Sequence, residues 1–309
     1  MSGPFAEGGP IRPLTARIVR PADHPWPTPA TGRHPSYPLD NDDPLAGTHH
    51  GCLSTLLDPF SRRRTCDLFP TGLHGRRCLE VGAGVGARYA HWLAGQVGPT
   101  GQVIAVDVKP RDVPAHPRLS VVECDLTAPD WPLTGDRFDL IHARLTLAHL
   151  PDRQDILARL VGLLAPGGWI LVEDWDTTRT DMVLHAPDLQ AAEEYTIVQE
   201  TVGRVFTAAG TDRGWARRVH AALRTHGLTD VHTVMHAESW TGGGPGAHLA
   251  ATTITELRPA LLAAGLTDRQ LDRAHGLLSD PDLVLAGHLL YSTAGRLTHP
   301  TPTTEKDQR

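Results

Sequence analysis

The sequence predicts a doubly wound α/β fold: a mostly parallel seven-stranded sheet with helices on both faces, a helical cap and an extended N-terminal arm. Two observations carry that reading. Between residues 77 and 173, short apolar runs of strand length alternate with helical stretches, the pattern of parallel strands joined by helical crossovers. The first of these runs leads straight into a glycine-rich turn, Gly82 to Gly86, that opens a helix.

The elements follow in order. Residues 1–45 are rich in proline, which bars long helices and central strands, so an arm or strap is expected there. Leu53, Leu56, Leu57, Phe60 and Leu68 recur near a period of 3.6 and predict a helix over 48–69. Strands are expected at 77–81, 102–107, 119–123, 138–143 and 169–173, with helices at 89–97 and 152–164. The second helix is stopped by Pro166, Gly167 and Gly168. Past Asp176 the pattern predicts helices over 187–209, 213–226, 247–264 and 267–279, and strands over 230–239 and 283–293. A polar tail begins at His299.

Composition narrows the class. The net charge of −6, with both signs dispersed, argues against a nucleic-acid backbone as partner, because phosphate binding needs a basic face. The run Arg62 to Arg64 reads as a solvated helix face. No apolar run approaches the roughly 20 residues that span a bilayer. The N-terminus lacks an apolar secretory core, so a cytoplasmic protein is expected. Four cysteines form no C-x-x-C pair and 18 histidines form no H-E-x-x-H, so no metal is expected.

The chemistry centres on Leu79 to Gly86, LEVGAGVG. Its glycines allow a tight turn and close approach of a ligand to the backbone. Gly82-x-Gly84-x-x-Ala87 also satisfies a dinucleotide fingerprint. Glu80 stands just before the turn, where a carboxylate repels a pyrophosphate but pairs with an ammonium. Asp107 ends the second strand, placed to accept ribose hydroxyls. Asp125 follows the third strand, where it can accept from an adenine amino group.

Five segments together resemble the successive motifs of class I S-adenosylmethionine-dependent methyltransferases: E-x-G-x-G-x-G at Glu80, Asp107, ECDL at Glu123, FDLIHARLTLAHL at Phe138 and LAPGGWILVEDWD at Leu164. The flanks, YPLDND at Tyr37, DPFS at Asp58, Gly246-Ala247 and Asp280-Pro281-Asp282, resemble actinobacterial-type small-molecule methyltransferases. The resemblance implies a Rossmann-like fold, S-adenosyl-L-methionine as cofactor and a small-molecule substrate from secondary metabolism. It implies an arm at 1–45 and one domain at 46–309, divided into a cofactor-binding core at 76–176, a substrate-side cap at 177–298 and the tail at 299–309. Gly82, Ala83 and Gly84 would contact the methionine part, with Gly86 completing the turn. Asp107 would bind ribose, Val108 and Leu126 would sandwich the adenine, and Asp125 would bond its amino group. His142, Ala143 and Arg144 would line the methionine side, and Tyr37 would close over the cofactor. Arg144 departs from the small or polar residue common there, which leaves its contact open.

Methyl transfer from a sulfonium needs positioning first, and a base only when the nucleophile must lose a proton. The candidate bases are Glu173 and Asp174, then Asp176, with His149 as the non-carboxylate; capping or core roles are the alternatives. Weaker candidates are His236 and Glu238. Alternation places Glu173 and Trp175 on one face of the strand and Asp174 with Trp169 on the other. Trp26, Trp175, Tyr195 and Trp240, with Asp176, are the expected substrate residues, against plain core packing. The preferred substrate is a heteroaromatic, indole-type carbon or nitrogen. The alternatives are O-methylation of a hydroxylated small molecule, a non-catalytic scaffold, and an NAD-dependent reductase. The reductase would need a Tyr-x-x-x-Lys pair, which Lys109 and Lys306 do not form. A homodimer is left open.

Overall fold

The computed structural model describes residues 38–133 and 135–298. Trp26, Tyr37, most of the proline-rich arm and the tail lie outside the described residues.

The chain opens on α1 (Ala46–Leu68), then enters the alternating region as β1 (Arg77–Val81), α2 (Arg88–Gln96), β2 (Gln102–Asp107), β3 (Leu119–Glu123), β4 (Phe138–Arg144), α3 (Arg153–Gly162) and β5 (Leu164–Asp176). Next come β6 (Val183–His185), α4 (Leu189–Ala208), a 3-10 turn at Trp215–Arg218 and α5 (Val219–Thr225). The remainder is β7 (Thr229–His236), β8 (Ser239–Thr241), α6 (Pro245–Glu256), α7 (Arg258–Ala263), α8 (Asp268–Leu277), β9 (Val284–Ala286) and β10 (Leu289–Arg296).

The main sheet has seven strands in the order β3-β2-β1-β4-β5-β10-β7. The first five run parallel, and β10 runs antiparallel between β5 and β7. Strands sandwiched on both faces must be apolar on both. Leu79, Val81, Ile141, Ile170 and Val172 pack on one side with Ile156, Leu157 and Leu160 of α3 and with Trp215 and Leu223. Cys78, Val103, Leu140 and Leu171 pack on the other with Tyr89, Ala90 and Leu93 of α2. A second apolar cluster joins α4, α6, α7, α8 and the small sheet β6-β9-β8 into the cap.

Several boundaries differ from the sequence reading. Pro166, Gly167 and Gly168 do not simply stop α3: they lie inside β5, where Gly167 takes φ 82° and the pairing with β4 shifts register. The strand expected over 230–239 is β7 and β8, and the one over 283–293 is β9 and β10. The helix expected over 247–264 breaks at Leu257, because Pro259 in the first turn of α7 cannot continue α6. Trp169 is corrected in orientation. It is four residues before Glu173, so it shares the face of Glu173 and not that of Asp174, and it packs beside Leu171 and Leu140.

Candidate active site

One cavity of about 640 Å³ opens beyond the carboxyl ends of β1, β2, β4 and β5, within the size range of small-molecule sites. Its wall is completed by α1, α4 and α6.

The glycine turn forms one end. Gly82 and Gly84 have φ of 71° and 66°, the left-handed region that disfavours side chains. A Cβ on Gly82 would overlap Thr146, and one on Gly84 would overlap the His50 ring. Asp107 is tied to this turn: Oδ2 accepts from Gly84 N at 2.8 Å, and Oδ1 from Lys109 N at 2.9 Å and Asn41 Nδ2 at 3.1 Å. Asn41 Oδ1 lies 3.1 Å from His50 Nε2, so His50, Asn41, Asp107 and Gly84 form one bonded chain. The segment before α1 is also held by charge, with Asp40 and Asp42 on Lys109 and Asp42 on Arg111. Asn41 and His50 were not singled out as site residues; the YPLDND resemblance and the adjacent pair His49-His50 were the available signals.

Glu80, Ala83, Val108, Asp125 and Leu126 line the same end. Asp125 Oδ1 accepts from the Thr127 N–H and hydroxyl, at 2.8 and 2.7 Å. Behind the turn, Glu80 Oε2 meets His142 Nδ1 at 2.6 Å, and His142 Nε2 lies 3.1 Å from Glu173 Oε2. Ser61 donates to that same oxygen and accepts from Arg144, which also pairs with Asp58 at 2.7 Å. Burial opposes charge on His142, but its two carboxylate neighbours win and raise it to about 9; it is an imidazolium at neutral pH. Burial likewise works against the Glu173 anion, and His142, Arg144 and Ser61 pull it down to about 2. Glu80 lines the cavity while its Oε2 is held by His142.

Gly86, His142, Ala143, Glu173, Asp176 and Tyr195 do not line the cavity. Ala143 is core, Asp176 pairs with Arg217 at 3.1 Å, and Tyr195 is buried in the cap and accepts from Gln199. Arg144, Asp174, His149, Trp175 and Trp240 do line it. His149 Nδ1 lies 3.0 Å from the Thr211 hydroxyl, and burial lowers it to about 4, so it is neutral. Trp175, Trp240 and His288 form an aromatic trio at the end away from the turn, with ring centroids 5.3 to 6.0 Å apart.

Asp174 is buried, and neither carboxyl oxygen has a hydrogen bond of good geometry. Burial pushes it up to about 8, although the N–H groups of Thr146 and Ala148 draw it the other way. Its folded-state value lies above the usual 3.8, so the native state retains a proton that the unfolded chain releases. The resulting cost grows as pH rises from about 4 to 8. Asp174→Asn should therefore stabilise the fold, by roughly 2–4 kcal/mol near pH 8 at about 1.4 kcal/mol per unit after allowing for the buried amide. Urea midpoints of parent and variant at pH 5 and pH 8 test this. An equal or smaller gain at pH 8 would refute it.

The family model described as a methyltransferase domain matches residues 57–271. "Methyltransferase str2" of Strobilurus tenacellus is 38% identical over 104 residues, covering 33% of this chain and 36% of that protein. Trans-aconitate 2-methyltransferase of Methylobacterium radiotolerans is 37% identical over 103 residues, covering 32% of this chain and 37% of that protein. The chain thus spans little more than a third of the length of these curated relatives. A cyclopropane-fatty-acyl-phospholipid synthase-like protein from Lactobacillus casei superposes with a TM-score of 0.49 at 17% identity, covering 82% of this chain and 94% of that one. No helix among the described residues is long and apolar enough to cross a membrane. Since the family model spans well over half of the sequence, the chain belongs to the methyltransferase-domain family.

Proposed function

We propose that the protein transfers the methyl group of S-adenosylmethionine to a small aromatic molecule, with a heteroaromatic carbon or nitrogen as the preferred acceptor. The observation that carries this is the single cavity running from the glycine turn and Asp107 to the Trp175, Trp240 and His288 trio. Flat aromatic walls suit a flat aromatic substrate. A relative named for methylating trans-aconitate supports the small-molecule class.

The residues present fit the cofactor. Gly82 and Gly84 line the cavity in left-handed backbone, with Thr146 and His50 packed against them, and Glu80 lines the same end, where its carboxylate would take the cofactor's ammonium. Asp107 would take the ribose hydroxyls, Val108 and Leu126 the adenine faces, and Asp125 the adenine amino group. Arg144, neutralised by Asp58, would close the methionine side. His142 and Glu173 would act behind Glu80, holding its carboxylate in place. The bound cofactor supplies an electrophilic methyl group. The protein's part is to align the nucleophile, exclude water and accept a proton where one is released. Of the candidate bases, Asp174 and His149 line the cavity, and Asp174, raised by burial, would first have to lose its own proton.

Incubation with labelled S-adenosylmethionine and cell extracts, followed by identification of the labelled product, tests the reading. Label should enter a small aromatic compound; transfer to no small molecule would defeat it and favour a scaffold. Asp107→Ala should weaken cofactor binding by about 1–3 kcal/mol, through loss of a charged acceptor. Unchanged affinity in calorimetry, with the fold intact, would remove Asp107 from the site.

A further inference from the structure

Glu256 ends α6 and His49 stands in the first turn of α1, where the two helices pack side by side. His49 Nδ1 lies 2.9 Å from Glu256 Oε2, and the Glu256 side chain is only 3% exposed. Both residues line the cavity. His49 Nε2 has no hydrogen-bond partner among the described residues and is not sealed away. The dyad lies beside the cofactor end: the His49 ring centroid is 5.9 Å from that of His50, whose ring sits against Gly84. Thr253 and Ala250, on the preceding turns of α6, continue this wall toward Trp240.

From this geometry we infer that His49, oriented by Glu256, is the general base that takes the proton of the substrate nucleophile. The inference rests on the methyl-transfer reading above. A carboxylate on Nδ1 fixes that nitrogen as the donor and leaves the Nε2 lone pair for the substrate. It also stabilises the positive charge that arrives with the proton. In the step, the nucleophile's electron pair forms the new bond to the methyl carbon as the carbon–sulfur bond breaks. That bond's pair stays on sulfur, which becomes a neutral thioether. The nucleophile's proton passes to His49 Nε2 and then to solvent, leaving imidazolium against carboxylate in between. His149 offers less, because its Nδ1 is held by the neutral hydroxyl of Thr211 rather than by an anion.

The experiment is single-turnover methyl transfer from labelled S-adenosylmethionine, using whichever cell extract gives the labelled product with the parent protein. His49→Gln should slow transfer by about 10²-fold or more while the calorimetric affinity for the cofactor stays within a few-fold. Glu256→Gln should lose roughly tenfold, and added imidazole should restore part of the activity of His49→Ala. Three results would overturn the base: His49→Gln within a few-fold of the parent, a parallel loss of cofactor affinity, or no rescue by imidazole. If the parent itself labels nothing, methyl transfer falls and the base falls with it. An active parent with an equally active His49→Gln removes the base alone.

Discussion

Gly84→Val should reduce S-adenosylmethionine binding by about 10³-fold, to near the limit of calorimetric detection, in a protein that still folds. Three costs combine. Gly84 has φ 66°, and a left-handed backbone costs an L residue roughly 1–2 kcal/mol, more when it is β-branched. The new Cβ would overlap the His50 ring, so that imidazole must move. Moving it pulls away the partner of Asn41, which in turn supports Asp107, and each hydrogen bond lost is worth about 0.5–1.5 kcal/mol. The sum is about 2–5 kcal/mol before any direct clash with a ligand. Gly86→Ala is the control. Its φ of 79° carries the same backbone strain, but the added Cβ meets no atom nearer than 3.7 Å. A loss of tenfold or less is expected there, with unchanged circular dichroism in both variants. If Gly84→Val binds within tenfold of the parent, the glycine turn is not where the cofactor lies.

The alternating core was legible because burial on both faces leaves continuous apolar runs such as QVIAVD, bounded by turn residues, and β1, β2 and β3 end where the pattern ends. The cap was less so. Short strands β6, β8 and β9 carry three residues each, too few for any periodicity to register. In the site, Asp107 and Glu80 were visible because strand, turn and carboxylate are adjacent in sequence. His49 and Glu256 were not, since a dyad built from the first turn of α1 and the last turn of α6 has no local signature. The same holds for Glu173. The strand places it at the right end of the sheet, but only its partners, His142 on β4 and Ser61 on α1, reveal that it is turned away from the cavity. Alternation alone could not decide between it and Asp174, which faces the opposite way and lines the wall.

Mild acid should destabilise the protein strongly, with a loss of up to about 2 kcal/mol of stability per pH unit between pH 6.5 and pH 4. His50, His149 and His288 are each lowered to about 4, in every case chiefly by burial. Below the ordinary value of 6.5 the unfolded chain therefore binds three protons that the native state refuses. Stability from these residues is complete above pH 6.5 and is lost as pH falls toward 4. Asp174 acts in the opposite sense. At about 8 it is protonated in the native state but ionised in the unfolded chain down to about pH 4, so it offsets one of the three. His142, raised to about 9, is protonated in both states over this window, and Glu173, lowered to about 2, stays ionised in the fold. Glu80, also raised by burial, works in the same sense as Asp174, so the net difference is at most two protons, or about 2.7 kcal/mol per pH unit. Screening at the partly open cavity trims it to about 2. Over two and a half units of acidification that is about 5 kcal/mol, which reaches the lower end of the roughly 5–15 kcal/mol that holds a domain folded. Urea midpoints at pH 7.5, 6.5, 5.5 and 4.5 should fall steadily below pH 6.5. His288→Gln should flatten the fall by about one proton. A midpoint that holds level to pH 4.5 would mean that these imidazoles accept protons in place, and that the cavity wall is wetter than its packing indicates.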